Sequence, residues 1–184
     1  MKFSICKIYK EEINGTGFFC KLPYKSEILP FLITNNHVLN NEDIEINKSI
    51  KLSINNEFKN IKIDEKRIVM TNEKLDFTLI EIKKDIDNID INNCLELNES
   101  INIEEQYINE VYSNSSIYTI HYPKDENVVV SYGLMSQINE NEIHHLCNTE
   151  GGSSGAPILS LKDFKVIGIH YGARKNFNKG TFIK

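Results

Sequence analysis

What most constrains this chain is a succession of short, β-branched, alternating segments with no helical period set against them. Lys2 to Tyr9, Gly17 to Leu22, Phe31 to Thr34, Ile50 to Ile54, Lys59 to Ile63 and Phe77 to Ile82 all carry strand pattern. Ser116 to His121, Val128 to Ile138, Glu142 to Leu146, Pro157 to Leu161, Val166 to Tyr171 and Gly180 to Ile183 form a second set. Polar clusters such as Asn40-Asn41-Glu42-Asp43 and Asn55-Asn56-Glu57 separate strands as turns. Nowhere do apolar residues recur at helical spacing over three turns, so the pattern predicts an all-β protein.

The stretch from Lys83 to Glu110 is rich in acids and asparagines and poor in apolar anchors. It is expected to be a solvated connection, and it divides the strands into two groups of about six. Two packed β-barrels fit that division, and a single large sandwich with one long loop is the alternative. At 184 residues the chain suffices for one compact domain over 1–184, with lobes over about 1–95 and 105–184. It ends at Lys184 directly after the last strand, which leaves open that it is a fragment of a longer protein.

Twenty-one Lys and Arg stand against 26 Asp and Glu, a net charge of -5. That balance argues against a reader of nucleic-acid phosphates, which needs a basic face. No apolar run approaches the roughly 20 residues that span a bilayer, so a membrane partner is not expected either. Lys7, Lys10, Glu11 and Glu12 interrupt the apolar N-terminus where a secretory signal would need continuity, so the expected location is cytoplasmic. Cys6, Cys20, Cys94 and Cys147 are widely spaced and are expected to be free thiols. Adjacent residues of a strand face opposite ways, so His144 and His145 with Cys147 do not make a metal site, and no metal or other cofactor is expected.

Three places carry chemistry. The run Thr149-Glu150-Gly151-Gly152-Ser153-Ser154-Gly155-Ala156-Pro157 describes a tight turn that exposes one hydroxyl and aims bare backbone N–H groups at one point, as an oxyanion hole requires. Alone, it would equally describe a Gly/Ser hairpin turn, and composition does not separate Ser153 from Ser154. His37 follows the apolar strand Phe31-Leu32-Ile33-Thr34, and Asp76 stands at the mouth of the strand Phe77-Thr78-Leu79-Ile80. An acid there could orient an imidazole, which in turn could take a proton from a serine.

The order His37, Asp76, Ser154 and the words around them resemble the chymotrypsin-fold serine proteases. Gly152-Ser153-Ser154-Gly155-Ala156-Pro157 matches the family's G-x-S-G-x-P word, Thr34-Asn35-Asn36-His37-Val38 its T-x-x-H-V word, and Gly15-Thr16-Gly17-Phe18 its G-[ST]-G-F strand. The resemblance implies two six-stranded antiparallel barrels with the site in the cleft between them, and a serine endopeptidase acting on protein or peptide substrates. It selects Ser154 as nucleophile and the N–H groups of Gly152 and Ser154 as oxyanion donors. Ser153 takes the place of an aspartate that pairs with a newly cut N-terminus in zymogen-type members, so activity without such activation is implied.

The strand Gly168-Ile169-His170-Tyr171-Gly172-Ala173 is similar to one in glutamyl endopeptidases. In that subgroup a histidine here and a threonine five residues before the nucleophile bind the substrate's acidic side chain. His170 and Thr149 match both, implying Glu at P1 with Gln open, and substrate laid beside Tyr171, Gly172 and Ala173. Arg174 or Lys175 is a candidate source of positive charge. A catalytically silent module that binds peptides or a partner protein in the same cleft is the alternative function.

Overall fold

A computed structural model of the chain describes residues 1–10, 14–98, 104–124 and 127–183. Glu11, Glu12, Lys184 and part of the connection between the lobes lie outside them. The first half carries β1 (Ile5–Ile8), β2 (Gly15–Tyr24), β3 (Glu27–Thr34), β4 (Ser49–Ile54), β5 (Glu57–Lys62), β6 (Val69–Asn72), β7 (Phe77–Glu81) and β8 (Leu95–Glu96). The second carries β9 (Ser116–His121), β10 (Val129–Asn139), β11 (Glu142–His145), β12 (Pro157–Ser160), β13 (Val166–Ala173) and β14 (Asn178–Phe182). The second set closes into a barrel in the order β10-β11-β14-β13-β12-β9. The first runs β5-β4-β1-β2-β3-β7-β6, with β8 added in parallel to β2.

The chymotrypsin-like two-barrel architecture is thus present, with eight strands rather than six in the first sheet. Two expectations change. Val69–Asn72 forms a strand that the pattern did not single out, because only period-2 burial would reveal it and its four residues are all at least partly exposed. The connection from Lys83 to Glu110 is not wholly irregular: it holds α1 (Lys84–Asp87) and α2 (Glu105–Tyr112). The α2 helix buries Ile108 and Tyr112, one turn apart, into the second core, and two anchors are too few to show a period in sequence.

A cluster of Ile5, Phe18, Phe31, Ile33 and Leu95 from the first half packs with Tyr118, Ile120, Leu159, Val166 and Ile169 from the second. The halves therefore share a core, and its burial fixes how the facing loops meet.

Among the described residues no ladder joins the two ends of the first sheet, β5 and β6. A side chain links the end of β5 to β7 instead. Arg67, between these strands, donates from Nε to the Lys62 carbonyl at the end of β5 (3.0 Å) and from Nη1 to the Glu81 carbonyl at the end of β7. Both of its Nη atoms also reach the Asp87 carboxylate, at 2.7 and 2.8 Å. Each side chain of the pair is at most 1% exposed. Breaking a buried pair strands a charge, so Asp87→Ala is expected to cost about 3–5 kcal/mol. The Arg67→Met/Asp87→Leu double variant should cost clearly less, and urea unfolding of the three proteins checks the order.

Candidate active site

His37 lies on the turn just after β3, and Asp76 immediately precedes β7. Pairing of β3 with β7 (Thr34 opposite Thr78) brings the two turns together. Asp76 adopts the left-handed region (φ 50°), and its carbonyl accepts from Nδ2 of the fully buried Asn35 at 2.8 Å. Its carboxylate then takes two bonds from one residue: the His37 backbone N–H at 3.0 Å and ring Nδ1 at 2.7 Å. A carboxylate only accepts, so Nδ1 carries the proton and Nε2 is left as the basic nitrogen.

Ser154 comes from the opposite barrel. Gly152 and Gly155 on either side have φ of 90° and 89°. A Cβ at Gly155 would lie 2.0 Å from the Thr16 carbonyl oxygen, and one at Gly152 would lie 2.5 Å from that of Tyr122, so only glycine fits either position. Thr16 holds the loop down: its N–H donates to the Ser154 carbonyl and its hydroxyl to the Gly152 carbonyl, both at 2.8 Å. With those carbonyls engaged, the N–H groups of Gly152 and Ser154 have no hydrogen-bond acceptor among the described residues. His37, Ser154 and Gly152 line one cleft of about 780 Å³ together with Tyr9, Lys10, Asn14 and Lys51. No hydrogen bond joins Ser154 Oγ to the His37 ring among the described residues, a common state for a site without substrate.

Which serine faces the cleft is decided by burial. Ser153 is fully buried, its Oγ 2.7 Å from His121 Nδ1 and accepting from the Glu150 N–H at 3.1 Å. His121 Nε2 continues to Ser131 Oγ at 3.0 Å. Burial pushes the His121 pKa down, with Glu150 opposing. The strand pattern placed His121 only at the end of Ser116 to His121, because its partner Ser153 lies 32 residues away.

The β12 ladder on β13 ends at Pro157–Ile169, and β13 continues through Tyr171 to Ala173 paired with β14 alone. One edge of this stretch is therefore open beside Ser154. The Tyr171 hydroxyl donates to Glu142, which also accepts from Lys179 Nζ (2.6 Å) and pairs with His144 Nε2 (2.7 Å). Burial raises the Glu142 pKa, but these three bonds outweigh it and hold it at about 2.

A model for the trypsin-like peptidase domain matches residues 15–169, which is most of the chain and includes all three words. The chain belongs to that family. In fold this trypsin-like peptidase domain is similar to the serine endoprotease of Yersinia pestis, with TM-score 0.68 and 14% identity over 97% of this chain and 58% of that one. It is also similar to the serine protease of a human pathogenic astrovirus, with TM-score 0.69 and 20% identity over 100% of this chain and 91% of that one. At these identities the likeness is one of fold, and the domain spans little more than half of the Yersinia enzyme. No curated protein sequence matches it significantly.

Thr149 and His170 are not hydrogen-bonded to each other. The Thr149 hydroxyl donates to Asn178 Oδ1 at 2.9 Å, and Asn178 is the residue opposite Ala173 on β14. His170 is 2% exposed, with Nδ1 3.1 Å from Nε2 of the fully buried His145. The Cys147 N–H donates to His145 Nδ1 at 3.3 Å, so His145 holds its proton on Nε2 and donates it to His170. A neutral His170 therefore carries its own proton on Nε2. His144 lies on the other face, stacked on Phe177.

Burial lowers His170 to about 3 and His145 to about 4, with neighbouring histidines adding to both and a backbone bond at Lys179 opposing for His170. These values lie below the 6.5 of a free imidazole, so the unfolded chain takes up these protons first as pH falls. The stability they contribute is complete above about pH 6.5 and drains away toward pH 4, at about 1.4 kcal/mol per pH unit for each histidine. Thermal melts between pH 7.5 and 4.5 should show this slope, and a His145→Gln/His170→Gln variant should flatten it.

Proposed function

We propose that this domain is a serine endopeptidase. The reading rests on one observation above all: a carboxylate-anchored imidazole and a half-buried serine share a cleft with two N–H groups that have no acceptor among the described residues. Ser154 Oγ attacks the peptide carbonyl while His37 Nε2 takes its proton, and Asp76 stabilises the imidazolium. The N–H groups of Gly152 and Ser154 receive the developing oxyanion. His37 returns the proton to the leaving amine, and a water activated by the same nitrogen hydrolyses the acyl-enzyme. The substrate lies extended along the open edge of Tyr171, Gly172 and Ala173 and adds a strand there.

At P1 we assign Glu or Gln, supported by the Thr149 hydroxyl and the His170 imidazole and by the similarity to glutamyl endopeptidases. The histidine pair is neutral at pH 7, so it supplies no charge to set a carboxylate above a carboxamide. The one N–H of His170, on Nε2, is turned to the Lys179 backbone, and released from it would suit the side-chain oxygen of either. Because the Thr149 proton already goes to Asn178, its oxygen is left to accept, which a carboxamide N–H can use and a carboxylate cannot.

A peptide panel varying only P1 (Gln, Glu, Asp, Arg, Phe, Ala) tests both levels at pH 7. Gln is expected to be cleaved at least as fast as Glu, and Ser154→Ala should lower kcat by at least about 10⁴-fold. A strong preference for Glu would show that the pocket carries positive charge after all, and Arg or Phe would discard Thr149 and His170 as its base. A folded chain that cleaves nothing and that a fluorophosphonate does not label at Ser154 would be the silent peptide-binding module instead.

A further inference from the structure

The loop that carries Ser154 must keep two N–H groups aimed at one point in the cleft, and backbone alone does not secure that. Gly152 at φ 90° flanks a residue, Ser153, whose hydroxyl is the loop's sole side chain turned into the protein rather than toward the cleft. Ser153 Oγ already accepts the Glu150 N–H, at 3.1 Å. Ser153 Oγ is also hydrogen-bonded to His121 Nδ1, 2.7 Å away, and His121 Nε2 to Ser131 Oγ at 3.0 Å. His121 is the last residue of β9 and Ser131 lies on β10, two strands joined by six paired positions. The chain of bonds Glu150–Ser153–His121–Ser131 thus fastens the loop to the wall of a closed barrel. The neighbouring backbone follows the same docking, since Lys124 N–H donates to the Gly151 carbonyl and Tyr122 N–H to the Thr16 hydroxyl.

We propose that His121 is a positioning residue: through Ser153 it locks the 150–155 loop in the conformation that presents the Gly152 and Ser154 N–H groups to the oxyanion. The lock is neutral, internal and assembled on folding. This inference rests on the serine endopeptidase reading for its catalytic consequence, but not for its structural one.

The ring and the carboxamide of asparagine place a nitrogen or oxygen at the same distance from the backbone on the Nδ1 side, so Asn can keep the bond to Ser153 that Leu removes. His121→Leu, His121→Asn, Ser131→Ala and the parent protein are compared by peptide kinetics, affinity for a peptide boronic acid, and amide hydrogen exchange over 150–155. His121→Leu should lower kcat by about 10- to 100-fold with KM within about twofold, a partial version of losing one oxyanion donor. Boronate affinity should fall in proportion, and loop exchange should quicken at least about tenfold. His121→Asn should restore kcat to within about threefold of the parent. Ser131→Ala, which removes the far end of the relay and leaves Ser153 bonded, should show a smaller loss of the same kind, and it carries the test should His121→Leu not fold.

Unchanged kcat and unchanged loop exchange in His121→Leu would overturn the proposal, as would a loss that Asn does not restore. A parent protein without turnover would remove the endopeptidase reading alone. Loop exchange would still decide the lock, faster exchange in His121→Leu supporting it and equal exchange ending it.

Discussion

The rest of the structure depends on Thr16, a fully buried residue near the start of β2. Its hydroxyl donates to the Gly152 carbonyl and accepts from the Tyr122 N–H, while its backbone N–H donates to the Ser154 carbonyl. Its carbonyl accepts from the Thr34 hydroxyl, three residues before His37. One residue of the first sheet thereby fixes both the Ser154 loop of the second barrel and the strand that leads to His37. A buried hydroxyl with both functions used is costly to replace, since each stranded partner loses about 1–3 kcal/mol. The same density of backbone contact explains why Gly155 has no room for a side chain.

Cross-barrel ties continue away from this point. The Thr181 hydroxyl on β14 donates to the Leu75 carbonyl, next to Asp76, so the turn bearing the acid is also held from the opposite half. The histidine and the acid come from one sheet and the serine from the other, and the acid's turn and the serine's loop are each tethered across the interface. The shared apolar cluster supplies the adhesion, and a handful of buried hydroxyls supplies the register.

Much of this was legible in the sequence because it is written locally. The strands of β9 and β12 to β14 follow from alternation, and the three catalytic words are each contiguous, so residue types at fixed offsets suffice. The family word singled out Ser154, but what buries its neighbour is not local: Ser153 is held by a histidine 32 residues earlier. The same holds for Arg67 and Asp87, which lie 20 residues apart and are brought together in the interior only by the fold. Strand alternation did predict that His144 and His145 face apart. That His145 would hand its proton to His170 depends on the pairing of both β11 and β13 with β14, which no single segment encodes. The α2 helix was missed because most of its surface is solvated and its two anchors carry no pattern.

The Arg67 clasp gives the two barrels different mechanical characters. The second is closed by backbone ladders around its whole circumference, so opening any seam means breaking several bonds in succession. Among the described residues the first has no ladder between β5 and β6; there one guanidinium grips the ends of β5 and β7 and a carboxylate, with the Lys83–Asp64 pair beside it. When that grip is lost, β5 parts from β7 while staying laddered to β4, and the Thr16 junction on β2 stays bonded. Loosening of the first lobe can therefore begin on the side of the sheet away from the cleft, and the catalytic face is the last part of it to feel the change.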